Sequence, residues 1–363
     1  MTIDKGIQIK NIYYMLAYAY RCLFQDGFKE VETEPFDNLE DLLASILIHG
    51  TNIQIKRGLF RDYTPIQESR KSVRGRIVLL PSFIEHEEKK DAITCRFDEL
   101  SVDNRINQIL KLTFLILAKS QRVKKENKTS IHKSLIFLQD VRTISLSEIN
   151  WSVIGINRNN ENYMMLLNIC RLVIDSYLPT TEKGKMKMWR FSDQKMEMLY
   201  QHFILEYFRF HHSNFLTVNP DAIDWCLDDS ADSNPYSLLP KMQTDVTLSS
   251  KTGDKTLIID AKYYGNMLQE FHGKNSIISG HLYQIFAYVK NYKQDQSKSV
   301  SGMLLYAETS LNGPVDVKYK ISGNEIAVKS LNLNEDFHSI AKALDHIAEV
   351  FFGPHEILHK INY

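Results

Sequence analysis

The sequence predicts an α+β N-terminal module followed by an α/β domain with a central mixed sheet flanked by helices. Three observations carry this. Over the first 150 residues, long stretches of helical spacing are interrupted by short β-like pieces. Beyond about residue 190 the order becomes helix, strand, strand, helix, strand, the rhythm of a compact α/β unit. Between the two lies the polar, glycine-bearing "TTEKGKMK" (Thr180–Lys187), the composition of a boundary. The expected division is therefore an N-terminal domain over 1–150, a helical connector over 151–190 and a C-terminal domain over 191–363.

The elements follow in order. Asn11 is expected to cap a helix running to about Phe24, and "LEDLLASILIHGTNIQI" begins a second at Leu39. "RGLFRDYTPI", "RKSVRGRIVLL" and "ITCRFDEL" read as strands. Helical spacing resumes over 104–119, 127–142 and 160–178. In the second half a strong helix pattern covers 193–212, and the loop "DDSADSNPYS" follows a weak strand. Then come "TDVTLS", "KTLIIDAKYY", the helix "SGHLYQIFAYVKNY" and the strand "SGMLLYAE". Two late strands, over 315–321 and 325–331, and a helix over 336–352 complete the unit. No internal period repeats, which excludes a solenoid.

With 363 residues, 44% of them apolar and 24% charged, the chain suffices for two or three domains with their own cores. Lysine plus arginine equals aspartate plus glutamate, so any nucleic-acid surface must be a local patch. "KSQRVKKENK" (119–128) and "KGKMKMWR" (183–190) are the basic clusters to weigh, each against a plain solvated surface. Cys22, Cys95, Cys170 and Cys226 lie far apart without a CxxC pair, which argues against a zinc ribbon or disulfide scaffold and for buried thiols in a cytoplasmic protein. "IYYMLAYAY" imitates a signal peptide, but its tyrosines and the following Arg21 fit a core helix better, and no membrane association is expected. His211-His212 and the C-terminal "GPHEILHK" have no metal-binding spacing and are expected at the surface.

The chemistry concentrates in "LLPKMQTDVTLSSKTGDKTLIIDAKYYG". If "TDVTLS" and "TLIIDAK" form a hairpin turning at Thr252-Gly253, Asp245 lies opposite Asp260, and Lys262 projects to the same face. A slip of one residue would separate the aspartates. Two readings stand. The charges form a structural ion pair where a strand meets solvent, or two repelling carboxylates hold a divalent cation. Magnesium suits such oxygen ligands, with the Ala261 carbonyl as a further ligand and Lys262 beside an attacking water. An acidic-x-basic tripeptide alone says little, since roughly five are expected by chance in this composition. The upstream aspartate, the apolar run and the following helix give it weight.

"TDVTLS" with "IIDAKYY" resembles the PD-(D/E)xK nuclease signature in the form of the McrC subunit family of the McrBC modification-dependent restriction systems. "NIYYMLAYAY", "RGRI", "FDEL" and "LLPKMQTD" resemble further landmarks of that family, so the likeness spans nearly the whole chain. The resemblance implies a C-terminal restriction-endonuclease-like domain with Asp245 and Asp260 as metal ligands and Lys262 as the water-activating residue. It implies Mg2+ as cofactor, and an N-terminal part that docks on an McrB-like AAA+ GTPase ring. The substrate it implies is double-stranded DNA carrying modified cytosine. Gln284 and Tyr288 resemble the QxxxY feature of RecB-like nucleases, with a role in DNA binding or site support. Glu206 stands where some members carry an extra acid; plain helix solvation is the alternative. The literal "PD" is missing, because Pro240 lies five residues before Asp245. No G-x-x-x-x-G-K-[ST] occurs, so no GTP site is expected in this chain. Arg57, Arg61, Arg74 and Arg76 are candidates for an arginine acting on the partner's GTP. Two other functions stay in view: a stand-alone RecB-like repair nuclease, and a non-catalytic nuclease-fold scaffold that activates a ring.

Overall fold

The computed structural model describes residues 3–4, 7–21, 36, 38–88, 91–155, 160–179, 186–188, 193–227, 238–263, 268–271, 274–292, 299–308, 314–355 and 357. Cys22, the "DDSADSNPYS" loop and most of the two stretches around residue 185 lie outside them. The chain divides into two units, one comprising Met1–Gln25, Glu34–Leu39 and Trp189–Tyr363, the other Asp26–Thr33 and Glu40–Met188. This differs from the expected division at both ends. The opening helix belongs with the C-terminal residues, and the stretch 151–176, expected as a connector, is part of the second unit.

The opening helix α1 (Ile9–Ala19) is buried at nearly every position, which explains how so apolar a run persists in a globular chain. Its N-cap is Gln8, not Asn11. Asn11 is buried inside the helix and donates to the carbonyls of Leu333 (2.8 Å) and Glu335 (2.7 Å). The tyrosines supply an aromatic seam. Tyr14 stacks on Phe337 at 4.1 Å, Tyr18 meets Phe203 and Tyr207 at 5.7 and 5.4 Å, and the Tyr18 hydroxyl shares a 2.7 Å hydrogen bond with His211 Nε2.

The second unit contains most of α2 (Leu39–Arg57), then β1 (Asp62–Arg70), β2 (Arg76–Ile77), α3 (Leu79–Glu87) and β3 (Ile93–Ser101). The three strands form an antiparallel sheet in the order β1-β3-β2. The expected strand "RIVLL" breaks after Ile77 because Pro81 has no N–H for a ladder yet fits the first turn of a helix. Three further helices follow: α4 (Arg105–Lys119), α5 (Lys125–Phe137) and α6 (Met164–Ser176). Asn104 caps α4 by accepting from the Asn107 N–H at 3.2 Å. Helix α5 stops before the expected Arg142, and α6 starts after a 3-10 turn at Glu161–Tyr163.

The other unit is built on a six-stranded mixed sheet. After α7 (Asp193–His212) come β4 (Leu216–Asn219), β5 (Val246–Ser250), β6 (Lys255–Lys262), α8 (Ser279–Asn291), β7 (Ser299–Glu308), β8 (Asp316–Ile321), β9 (Asn324–Asn332) and α9 (Phe337–Phe352). The strand order is β8-β9-β7-β6-β5-β4, with β6, β7 and β9 mutually parallel and the outer pairs antiparallel. Parallel neighbours need a crossover, and α8 supplies it between β6 and β7. Strand β6 is interior to the sheet and buried from Thr256 onward, as its unbroken apolar run requires. Gly302 on β7 lets α8 approach: a Cβ there would lie 2.7 Å from Ile285 Cγ1 and 2.8 Å from Val289 Cγ2.

Two smaller expectations are corrected. Cys226 is exposed, whereas Cys95 and Cys170 are buried. His211 and His212 are fully buried, and His212 bridges Asp345 (2.9 Å) and His355 (2.8 Å). No helix among the described residues is long and apolar enough to cross a membrane.

Candidate active site

The β5–β6 hairpin has the register that the turn at Thr252-Gly253 predicts. Val246 faces Ile259 and Leu248 faces Leu257, and Gly253 takes the left-handed conformation (φ 74°). Continued by one residue, this register sets Asp245 against Asp260. The strand ends there, so the Ala261 peptide no longer meets backbone on that side. Its N–H donates instead to Asp245 Oδ2 at 2.8 Å, and its carbonyl accepts a long hydrogen bond, 3.4 Å, from Gln201 Nε2 on α7. Asp245 is fixed from behind as well. The Thr244 N–H donates to the Asp221 carbonyl at 2.9 Å, the Asp221 N–H donates to Thr244 Oγ1 at 2.7 Å, and the Tyr292 hydroxyl donates to the Asp221 carboxylate at 2.7 Å.

Lys262 lies two residues beyond Asp260 on the same face, and its ammonium sits 3.1 Å from Asp260 Oδ1. The Asp260 and Lys262 side chains are only 2% and 8% exposed. Lys262 also donates to Gln284 Oε1 at 3.1 Å, and Gln284 Nε2 donates to the Tyr288 hydroxyl at 2.8 Å. Gln284 and Tyr288 are one turn apart on α8, which faces this side of the sheet, so the helix that covers the core also holds the lysine.

Burial and the Asp260 charge push the Asp245 carboxyl up to about 7, against the opposing pull of the Ala261 N–H and Lys262. Burial also raises Asp260, although Lys262 counters it. One lysine thus does not neutralise two carboxylates. Asp260 Oδ2 is buried and receives no hydrogen bond from an N–H or hydroxyl group, a costly position for a carboxylate oxygen that a proton shared with Asp245 is left to relieve. Surplus negative charge and an acceptor short of donors are what a divalent cation would relieve, and the Asp245, Asp260 and Ala261 oxygens fit that demand. Among the described residues no group of three or more His, Cys, Asp or Glu gathers for a metal ion, so this donor set has two acids.

Glu206 does not join them. Arg21 grips it through two hydrogen bonds of 2.7 and 3.0 Å, and Arg209 adds a third at 2.7 Å. Burial raises the Glu206 carboxyl, but the two arginines overcome this and hold it below the usual range. Its task is to seat the end of α1 on α7. On α7 it is Gln201, which carries no motif in the sequence, that hydrogen-bonds the β6 backbone at Ala261. His281 was also missed. On the first turn of α8 it shares a 2.8 Å hydrogen bond with the Tyr306 hydroxyl, and burial together with the Lys262 charge lowers it to about 4, so it is neutral at pH 7. Tyr306 pairs with Lys262 across the β6–β7 ladder, a relation visible only once strand order is known.

The fold and this cluster define an α/β protein with a buried acid–acid–lysine centre at the end of an interior strand. A family model described as "McrBC 5-methylcytosine restriction system component" matches residues 3–307, and the chain belongs to that family. It is 28% identical over 340 residues to the "Type IV methyl-directed restriction enzyme EcoKMcrBC" of Escherichia coli K12, covering 93% of this chain and 96% of that protein. A chain of the assembly of Thermococcus gammatolerans McrB AAA+ hexamers with bound McrC has a similar fold, with a TM-score of 0.50 at 15% identity. The match covers 93% of this chain and 76% of that one.

Proposed function

We propose that this chain is the nuclease subunit of a two-component, GTP-dependent restriction system, hydrolysing DNA phosphodiester bonds at a PD-(D/E)xK site formed by Asp245, Asp260 and Lys262. The observation that carries the proposal is the buried Asp260 Oδ2, which receives no N–H or hydroxyl donor, beside a second carboxylate and a lysine in a chain of the McrBC family. Asp245, Asp260 and the Ala261 carbonyl would hold Mg2+, which when bound supplies charge stabilisation to the phosphate under attack. Lys262 orients and activates the water, and Gln284, backed by Tyr288, keeps the ammonium turned toward Asp260. Burial of Asp260 and Lys262 excludes bulk water and strengthens their fields. Domain roles follow: the unit of Asp26–Thr33 and Glu40–Met188 contributes the surface for the ring partner, and the unit of Met1–Gln25, Glu34–Leu39 and Trp189–Tyr363 the nuclease. The proposed setting is the cytoplasm, with an McrB-like AAA+ GTPase as partner and DNA carrying modified cytosine as substrate.

The test is cleavage of methylated and unmethylated plasmid with Mg2+ by the wild-type chain and by Asp260→Ala, each with and without the cognate GTPase and GTP. Cutting that requires partner, GTP and Asp260 is expected, with at least a hundredfold loss in the variant, on the order of 3 kcal/mol in the transition state. Equal cutting by Asp260→Ala would place the chemistry elsewhere. Cutting by the chain alone would favour a stand-alone nuclease.

A further inference from the structure

The Ala261 peptide is where α7 and the hairpin meet. Beyond Ile259, β5 no longer supplies ladder partners, and side chains replace them: Asp245 takes the N–H and Gln201 the carbonyl. A peptide carbonyl has two lone pairs, so an amide on one leaves the other for a cation. Gln201 is the α7 side chain hydrogen-bonded at this point, and it is neutral. The acids of the same helix do not gather here: Glu206 is held by Arg21 and Arg209, and among the described residues no third His, Cys, Asp or Glu joins Asp245 and Asp260 in a group that could hold a metal. The formal charge of Asp245, Asp260 and Lys262 together is therefore that of one surplus carboxylate. One divalent ion more than balances that charge, and a second would sit beside the first with no third acid gathered there, among the described residues, to offset it.

Resting on the metal-nuclease reading above, we propose that Gln201 is a positioning residue that orients the Ala261 carbonyl and, by its neutrality, restricts this centre to a single divalent cation. A carboxylate at 201 would stand beside the same carbonyl oxygen and complete a donor set for a second ion. The glutamine would then fix how many ions the centre takes up, separately from whether it takes up any.

The test is Mn2+ binding to the full chain without DNA, read as the number of ions and their affinity by calorimetry and electron paramagnetic resonance. The proteins are wild type, Gln201→Glu, Gln201→Leu and Asp260→Ala. The expected result is one Mn2+ on wild type that Asp260→Ala abolishes. On Gln201→Glu two ions are expected, with magnetic coupling between them. On Gln201→Leu one ion is expected, bound several-fold more weakly, with circular dichroism unchanged. A purely structural glutamine would move the unfolding midpoint and not the ion number. Two Asp260-dependent ions on wild type would overturn the proposal while sparing the metal site, as would a Gln201→Glu protein that still binds a single ion. No Asp260-dependent ion on any protein would remove the metal reading and this proposal together.

Discussion

Replacing Asp245 by asparagine should make the metal-free protein more stable at alkaline pH while destroying its proposed activity. In the folded chain the Asp245 carboxyl is pushed from 3.8 up to about 7, first by burial and then by the Asp260 charge. The folded state therefore keeps a proton that the unfolded chain has already lost between those values. Stability from this group is fully present below pH 3.8 and is lost as pH rises through 7. A shift of about three units corresponds to about 4 kcal/mol at 1.36 kcal/mol per unit. Asparagine keeps an oxygen for the Ala261 N–H but never ionises. In EDTA, urea unfolding between pH 4 and 8.5 should show the wild type falling against Asp245→Asn up to about pH 7 and levelling off above it, with the variant ahead by up to about 4 kcal/mol at the alkaline end. Mg2+ should narrow the gap by stabilising only the wild type. Parallel pH profiles, or a variant less stable at pH 8.5, would refute the claim that two carboxylates are confined here with too little positive charge.

Three other substitutions probe the scaffold. Gly302→Val places a side chain within 2.7–2.8 Å of Ile285 and Val289; it should cost about 1–3 kcal/mol by overpacking and shift α8, so that cleavage falls along with the urea midpoint. Asn11→Leu strips the donor from two backbone carbonyls and should cost about 1–3 kcal/mol in the same measurement. Arg21→Ala removes an ion pair whose arginine side chain is 63% exposed, and a loss under about 1 kcal/mol is expected despite its short bonds.

The hairpin was legible because its information is local: an apolar run, a Thr-Gly turn and a parity of two fix which residues face each other. The α8 contacts were half legible. Gln284 and Tyr288 are one turn apart in sequence, but their link to Lys262 depends on the crossover that lays α8 over β6. Glu206 misled because charge type says nothing about helical phase. It lies five residues from Gln201, about 140° around the helix, and so points to α1 instead of β6. "IVLL" misleads because its β-like composition is read as a strand, whereas the strand ends at Ile77 and Leu79 and Leu80 open a helix with their side chains exposed, at 80% and 78%. His281 carried no signal, since its neighbour Tyr306 comes from a strand twenty-five residues on.

The aromatic seam of α1 means that the unit bearing the acid–acid–lysine centre is discontinuous in sequence, its first helix separated from the remainder by an inserted unit. A fragment beginning at residue 191 would carry every candidate active-site side chain and still present bare aromatic surface at Phe203, Tyr207 and Phe337, where Tyr14 and Tyr18 belong. During synthesis α1 must wait for more than 170 residues before its docking helix exists, so the early chain carries an apolar segment in need of shelter. A peptide spanning residues 7–21, supplied in trans, is the natural means of making such a fragment soluble.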